Sequence, residues 1–109
     1  MQHADGASGP IRSEFADDPD MLELVEEFVA QLPNRVADLR ASFATGDAAA
    51  VSRMAHQLSG ACGGYGFPVV GDAARSIESS LRQLESDGGL DRVKDQVDAL
   101  VDLCRRVVV

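Results

Sequence analysis

Apolar residues recur at intervals of three and four along nearly the whole chain. Met21, Val25, Phe28 and Leu32 are spaced four, three and four; Val36, Leu39 and Phe43 continue the line; Leu90, Val93, Val97, Leu100, Cys104 and Val107 are spaced three, four, three, four and three. That period gathers side chains on one side of an α-helix, whereas a half-buried strand needs alternation by two. No stretch of useful length alternates by two. The expected fold class is therefore all-α. Turn residues punctuate the stripes. Asp17-Asp18-Pro19-Asp20 reads as a helix start, with Pro19 in the first turn. Pro33 lacks an N–H and crowds the preceding turn, so the first helix is expected to kink or split there. Gly46 ends that segment and Asp47 caps the next, an Ala-rich stretch expected to run to about Tyr65. Gly66-Phe67-Pro68 is a tight connection with Pro68 opening a further helix, whose apolar face is Val70, Ala73, Ala74, Ile77, Leu81 and Leu84 and whose end falls at Asp87-Gly88-Gly89. Such short connections make successive helices antiparallel neighbours. The expected architecture is an up-and-down antiparallel helical bundle with a four-helix core over residues 17–109. Residues 1–16 mix Gly, Ser, Ala and charges without periodicity and are expected to be a flexible N-terminal lead-in.

Composition narrows the function. A chain of 109 residues has room for one core and not for a separate nucleotide- or cofactor-binding domain. The net charge of −8, with no basic run longer than Arg105-Arg106, argues against nucleic acid as a partner. Apolar runs such as Ala48 to Val51 are far too short for a membrane span, and the first ten residues carry no signal core. The expectation is a cytoplasmic protein, most simply a monomer, without membrane contact. Cys62 and Cys104 match no metal-ligand spacing and are expected to be reduced, buried, small hydrophobes.

The segment from Asp47 to Phe67 carries the most information. At 100° per residue, Val51, Met54, Ala55, Leu58, Cys62 and Tyr65 fall within about 60° of a common direction, which defines the buried stripe. His56, Gly60, Gly63 and, if the helix reaches it, Phe67 project the opposite way, so the histidine is expected to face water on a helix stripped of side chains; ending earlier, the helix would leave Phe67 a core residue at the turn. An interior glycine costs a helix about 1 kcal/mol relative to alanine, so Gly60, Gly63 and Gly64 together remove roughly 3 kcal/mol. Bare backbone on an exposed face lets another macromolecule come close. A histidine has an unperturbed pKa near 6.5, so an exposed ring is largely neutral and nucleophilic near pH 7. A self-contained hydrolase would need a nucleophilic Ser or Cys, an oxyanion site, an orienting carboxylate and a pocket; Ser59 is expected to point to water like His56 rather than into a cleft, which argues against one. No metal site is expected, because the only other histidine is His3 in the lead-in. What remains is chemistry in which this chain brings a nucleophile and a partner brings the rest.

The run Ala55-His56-Gln57-Leu58-Ser59-Gly60, continuing Ala61-Cys62-Gly63-Gly64-Tyr65-Gly66-Phe67, resembles the signature of histidine-containing phosphotransfer (HPt) domains: His, any residue, an apolar residue, usually Lys, then Gly, with a further Gly near the helix end. Gly46-Asp47 upstream and Ile77-Glu78 downstream fall where that family has them, and the resemblance extends over residues 17–106. It is similar also to the phosphotransfer domain of chemotaxis histidine kinases. The resemblance implies a phosphorelay carrier of a two-component system. His56 is then the phosphoacceptor, taking a phosphoryl group from a phospho-aspartyl receiver or a kinase and passing it to a response-regulator receiver. It implies no cofactor bound by this chain, with Mg²⁺ on the partner receiver. Gly60, Gly63, Gly64, Phe67 and Arg53 form the implied docking surface, Phe67 partly exposed, with Gln57 on its shoulder. Nothing resembles an ATP-binding box, so autokinase activity is not expected. The alternative is a degenerate, non-catalytic helical adaptor that docks a receiver or kinase without phosphotransfer.

Ser59 departs from the pattern, standing where the family usually has Lys. A lysine there would help hold phosphoryl oxygens; serine offers only a neutral donor. Hairpin geometry suggests a substitute. With the reversal at Gly66, His56 and Glu78 lie about 15 and 18 Å along their helices from the turn, at similar heights. Arg75, Glu78 and Arg82 share one flank. Glu78 is expected to accept the Nδ1–H of His56, leaving Nε2 as nucleophile, with Arg75 in place of the missing lysine. The competing reading is an ordinary solvated charge ladder on one helix face.

Overall fold

The computed structural model describes residues 9–84 and 90–109. Among them four α-helices follow in order: α1 Pro19–Ala44, α2 Ala48–Gly64, α3 Pro68–Leu84 and α4 Lys94–Arg106. A 3-10 turn, Leu90–Val93, leads into α4, and two short strands, β1 Ile11–Arg12 and β2 Val107–Val108, stand at the two ends of the chain. The expected helix end at Asp87-Gly88-Gly89 lies outside the described residues. No helix of the described residues is long and apolar enough to cross a membrane.

The helices start and stop where local chemistry directs. Asp18 caps α1 by accepting from the Asp20 amide at 2.9 Å, with Pro19 as the first helical residue. Asp47 caps α2 by accepting from the Ala50 amide at 3.0 Å. Between them, Gly46 takes a φ of 77° and the Asp47 amide bonds the Ser42 carbonyl, the six-residue closure of a Schellman turn. Pro33 does not split α1, which is one helix of 26 residues. The proline stands on the exposed side, where water can take the carbonyl that its missing N–H leaves, while Leu32 and Leu39 hold the inner face.

The stripes meet in one core. Phe28 and Leu32 of α1, Val51 and Cys62 of α2, Val70 and Ile77 of α3, and Val97 and Leu100 of α4 are all buried in it. Phe28 in the first half of α1 stacks on Tyr65 after α2, while Ser42 near the end of α1 reaches Met54 in the first half of α2, so these helices run antiparallel. The closest helix pair is α2 with α3.

The two strands correct the expectation for the N-terminus. Ile11 pairs with Val107 and Arg12 with Val108 in parallel register. Ser13 is buried, its Oγ donating to the Tyr65 carbonyl at 2.6 Å and accepting from the Phe15 amide at 2.9 Å. The Glu14 amide donates to the Gly66 carbonyl at 2.8 Å. Residues 9–16 are thus a strap across the α2–α3 turn, satisfying carbonyls that the end of α2 leaves over. The lead-in expected over residues 1–16 holds structure from residue 9; the rest of it, with His3, lies outside the described residues. Ile11 and Phe15 anchor the strap on the core, in a stretch too short to show any period.

Candidate functional site

The inner face of α2 buries Val51, Ala55, Leu58 and Cys62, which sends Arg53, His56, Gln57, Gly60, Gly63 and Gly64 to the surface. The His56 side chain is 73% exposed. A Cβ placed on Gly60, Gly63 or Gly64 would find nothing within 4 Å. No internal contact requires these glycines, and the open strip beside the imidazole is a property of the surface.

Gly71 behaves differently. A Cβ there would lie 3.2 Å from the Ser59 carbonyl oxygen and 3.4 Å from the Cys62 Cβ, so the bare backbone is what lets α3 press against α2. Ser59 is covered by this approach and is buried, which corrects the expectation that its hydroxyl faces water. It stands on the flank of α2 that α3 occupies, away from the outer face on which His56 stands.

Close packing brings Glu78 to His56. The imidazole Nδ1 and Glu78 Oε2 are 3.0 Å apart, and the carboxylate is only 14% exposed beneath the ring. Arg82, one turn further along α3, donates from Nη2 to the same Oε2 at 3.1 Å. Partial burial alone raises the pKa of Glu78, but the hydrogen bonds from His56 and Arg82 outweigh it and hold the carboxyl below its ordinary value. An ionised Glu78 can only accept, so it fixes the proton on Nδ1 and leaves the lone pair on Nε2. Among the described residues nothing hydrogen-bonds Nε2.

Two expected roles change. Arg75 does not reach the imidazole: its Nη1 binds Asp72 Oδ1 at 2.9 Å, both side chains well exposed. Its neighbour at three residues' distance holds it, and the arginine that reaches Glu78 is Arg82, because position i+4 from Glu78 lies over the carboxylate. Phe67 is not on the docking surface: it is 1% exposed and stacks on Phe28 with ring centroids 5.9 Å apart. Helix α2 ends at Gly64 rather than continuing to residue 67. Gly66 turns the chain at φ 87°, the Phe67 amide bonds the Cys62 carbonyl at 2.7 Å, and the residue after a Schellman glycine folds back on the helix. The Gly-Phe pair was itself the signal. Val69, 57% exposed, is the large apolar residue that this end presents instead.

Sequence reasoning passed over Gly71 and Ser13 and gave Arg82 no role of its own. A lone glycine inside the apolar stripe of α3 is the mark that could have revealed the first. Among the described residues no group of three or more His, Cys, Asp or Glu could hold a metal ion. Cys62 and Cys104 are free and buried, and burial pushes their thiols up to about 12 and about 11, so neither serves as a nucleophile.

Residues 23–107 match the family model described as Hpt domain. No curated protein and no solved structure gives a significant match.

Proposed function

From the premise that this chain belongs to the Hpt domain family, a carrier in the phosphorelays of two-component signalling, we propose that His56 Nε2 is the atom that takes and gives the phosphoryl group. The observation that carries this reading is the exposed ring whose Nδ1 is held 3.0 Å from Glu78 Oε2 while Nε2 stands without a partner beside Gly60, Gly63 and Gly64.

In the proposed step the Nε2 lone pair attacks the phosphorus of a receiver's aspartyl phosphate. The N–P bond forms as the P–O bond breaks, and that electron pair leaves with the aspartate. The ring keeps its Nδ1 proton and gains a positive charge, which the Glu78 carboxylate stabilises through the same hydrogen bond. Transfer to a second receiver reverses the step. The partner would supply the remaining chemistry: Mg²⁺ held by acidic residues of the receiver would neutralise the phosphoryl oxygens, a contribution of position and charge rather than covalent catalysis. The partners proposed are response-regulator receivers and a histidine kinase, met by a cytoplasmic monomer. Gly60, Gly63 and Gly64 admit the partner's loops, flanked by Arg53 and Gln57.

The test is incubation of the full chain with a phosphorylated receiver. An acid-labile, base-stable phosphoadduct on the chain, abolished by His56→Gln, is the expected result. A label that persists in His56→Gln overturns the assignment, and stable binding of a receiver with no label on the unsubstituted chain would establish the adaptor reading.

A further inference from the structure

Glu78 Oε2 receives two donors, one from each side of the helix pair. His56 Nδ1 lies 3.0 Å away and Arg82 Nη2 lies 3.1 Å away on the same oxygen. Other charges near the carboxylate are engaged elsewhere. Arg75, one turn back on α3, is bound to Asp72 at 2.9 Å, and among the described residues His56 and Arg82 alone bond the Glu78 side chain. Among the described residues, the ring therefore meets a carboxylate whose negative charge is shared with a single guanidinium.

A lone glutamate under an imidazole has two opposed effects. It fixes the Nδ1 proton, which favours Nε2 as nucleophile, and it stabilises the imidazolium, which removes the Nε2 lone pair by protonation. A cation on the same oxygen retains the first effect and weakens the second. We propose that Arg82 is a positioning residue for His56, acting through Glu78: it pins the carboxylate that holds Nδ1 and offsets its charge, so that the ring stays neutral with its lone pair on Nε2. This rests on the reading of His56 as the phosphoacceptor.

The experiment compares the full chain with Arg82→Ala, Arg82→Lys, Glu78→Ala and the double variant Arg82→Ala/Glu78→Ala. NMR follows the titration of the His56 ring and the Glu78 carboxyl, and phosphorylation of His56 by phosphoramidate is followed against pH. In Arg82→Ala the Glu78 midpoint rises, and the ring titration and the acid limb of the phosphorylation profile both move to higher pH by roughly half a unit, a value reduced from the buried-pair range because Arg82 is 70% exposed. Arg82→Lys restores most of the shift. With Glu78 already absent, removing Arg82 changes neither curve, since the effect passes through the carboxylate. Unchanged curves in Arg82→Ala, or an equal shift in the Glu78→Ala background, overturn the proposal. The NMR titrations need no phosphate, so they decide the Arg82 proposal even if His56→Gln shows the phosphoacceptor to lie elsewhere.

Discussion

His56 and Glu78 are 22 residues apart in sequence and 3.0 Å apart at Nδ1 and Oε2. Their register follows from the hairpin. Gly63 follows His56 by two helical turns and Gly71 precedes Glu78 by two turns, and a Cβ on Gly71 would lie 3.6 Å from the Gly63 backbone nitrogen. The His56–Glu78 hydrogen bond and the glycine approach are two rungs of one antiparallel ladder.

Substitution of Gly71 should therefore disturb both stability and site. In Gly71→Ala the new Cβ meets the Ser59 carbonyl oxygen at 3.2 Å, a backbone atom that can move only with its helix, and the overpacking, about 1–3 kcal/mol, outweighs the gain of up to about 1 kcal/mol in helix propensity. Denaturant unfolding is expected to show that loss, and NMR a weakened coupling between the His56 and Glu78 titrations. Full stability in this variant would mean that α3 does not need the glycine to approach α2.

Gly60→Ala and Gly63→Ala should do the opposite to the fold. Each added methyl meets open space within 4 Å, so each substitution is expected to stabilise the chain by up to about 1 kcal/mol. Transfer from a phosphorylated receiver should nevertheless slow, while phosphorylation by the small donor phosphoramidate is unchanged. A stabilised protein with undiminished receiver transfer would count against a docking role for the bare strip.

Acid should expose the bonds to Glu78. Its folded carboxyl lies below the ordinary 4.5, so its contribution to stability is complete above that value and is lost as pH falls through the lowered folded value. Carboxyl NMR is expected to give a Glu78 midpoint below 4.5 that rises when His56 is replaced by Ala. A midpoint at or above the ordinary value in the unsubstituted chain contradicts the two hydrogen bonds.

The thiols respond at the other end of the scale. Burial raises Cys62 to about 12 and Cys104 to about 11, so both hold their protons in the fold more tightly than an unfolded thiol at 9.0. Stability linked to them is fully present below pH 9 and falls as pH rises from there toward the folded values. A thiol reagent at pH 8 should label the native chain far more slowly than the unfolded one, because the thiolate is the reacting form. Equal rates would place a cysteine at the surface.

Much of the fold is legible in the chain because it is local. The three-four spacing, the caps at Asp18 and Asp47, and the glycines at 46 and 66 each act within a turn or two, so sequence alone places the helices and turns His56 outward. The strap was missed for the converse reason: Ile11 and Phe15 are anchored by residues far away in the chain, and Ser13 by the end of α2. For Phe67 the outcome turns on where α2 stops: a helix reaching residue 67 would turn it outward, and the stop at Gly64 with the turn at Gly66 sends it into the core.

Which polar side chains meet was decided at a finer scale. Arg75 and Arg82 are nearly equivalent by helical angle, yet the first binds Asp72 and the second Glu78. Sequence by itself determined an all-α bundle with a solitary imidazole on a stripped outer face, since backbone preference and apolar period are properties of neighbouring residues. Only the tertiary structure decided that Ser59 is covered, that Glu78 lies beneath the ring and that Arg82 shares its oxygen. Those outcomes depend on how closely α2 and α3 approach, and hydrogen bonds, which fade over a few tenths of an ångström, respond to that separation far more sharply than helical periodicity does.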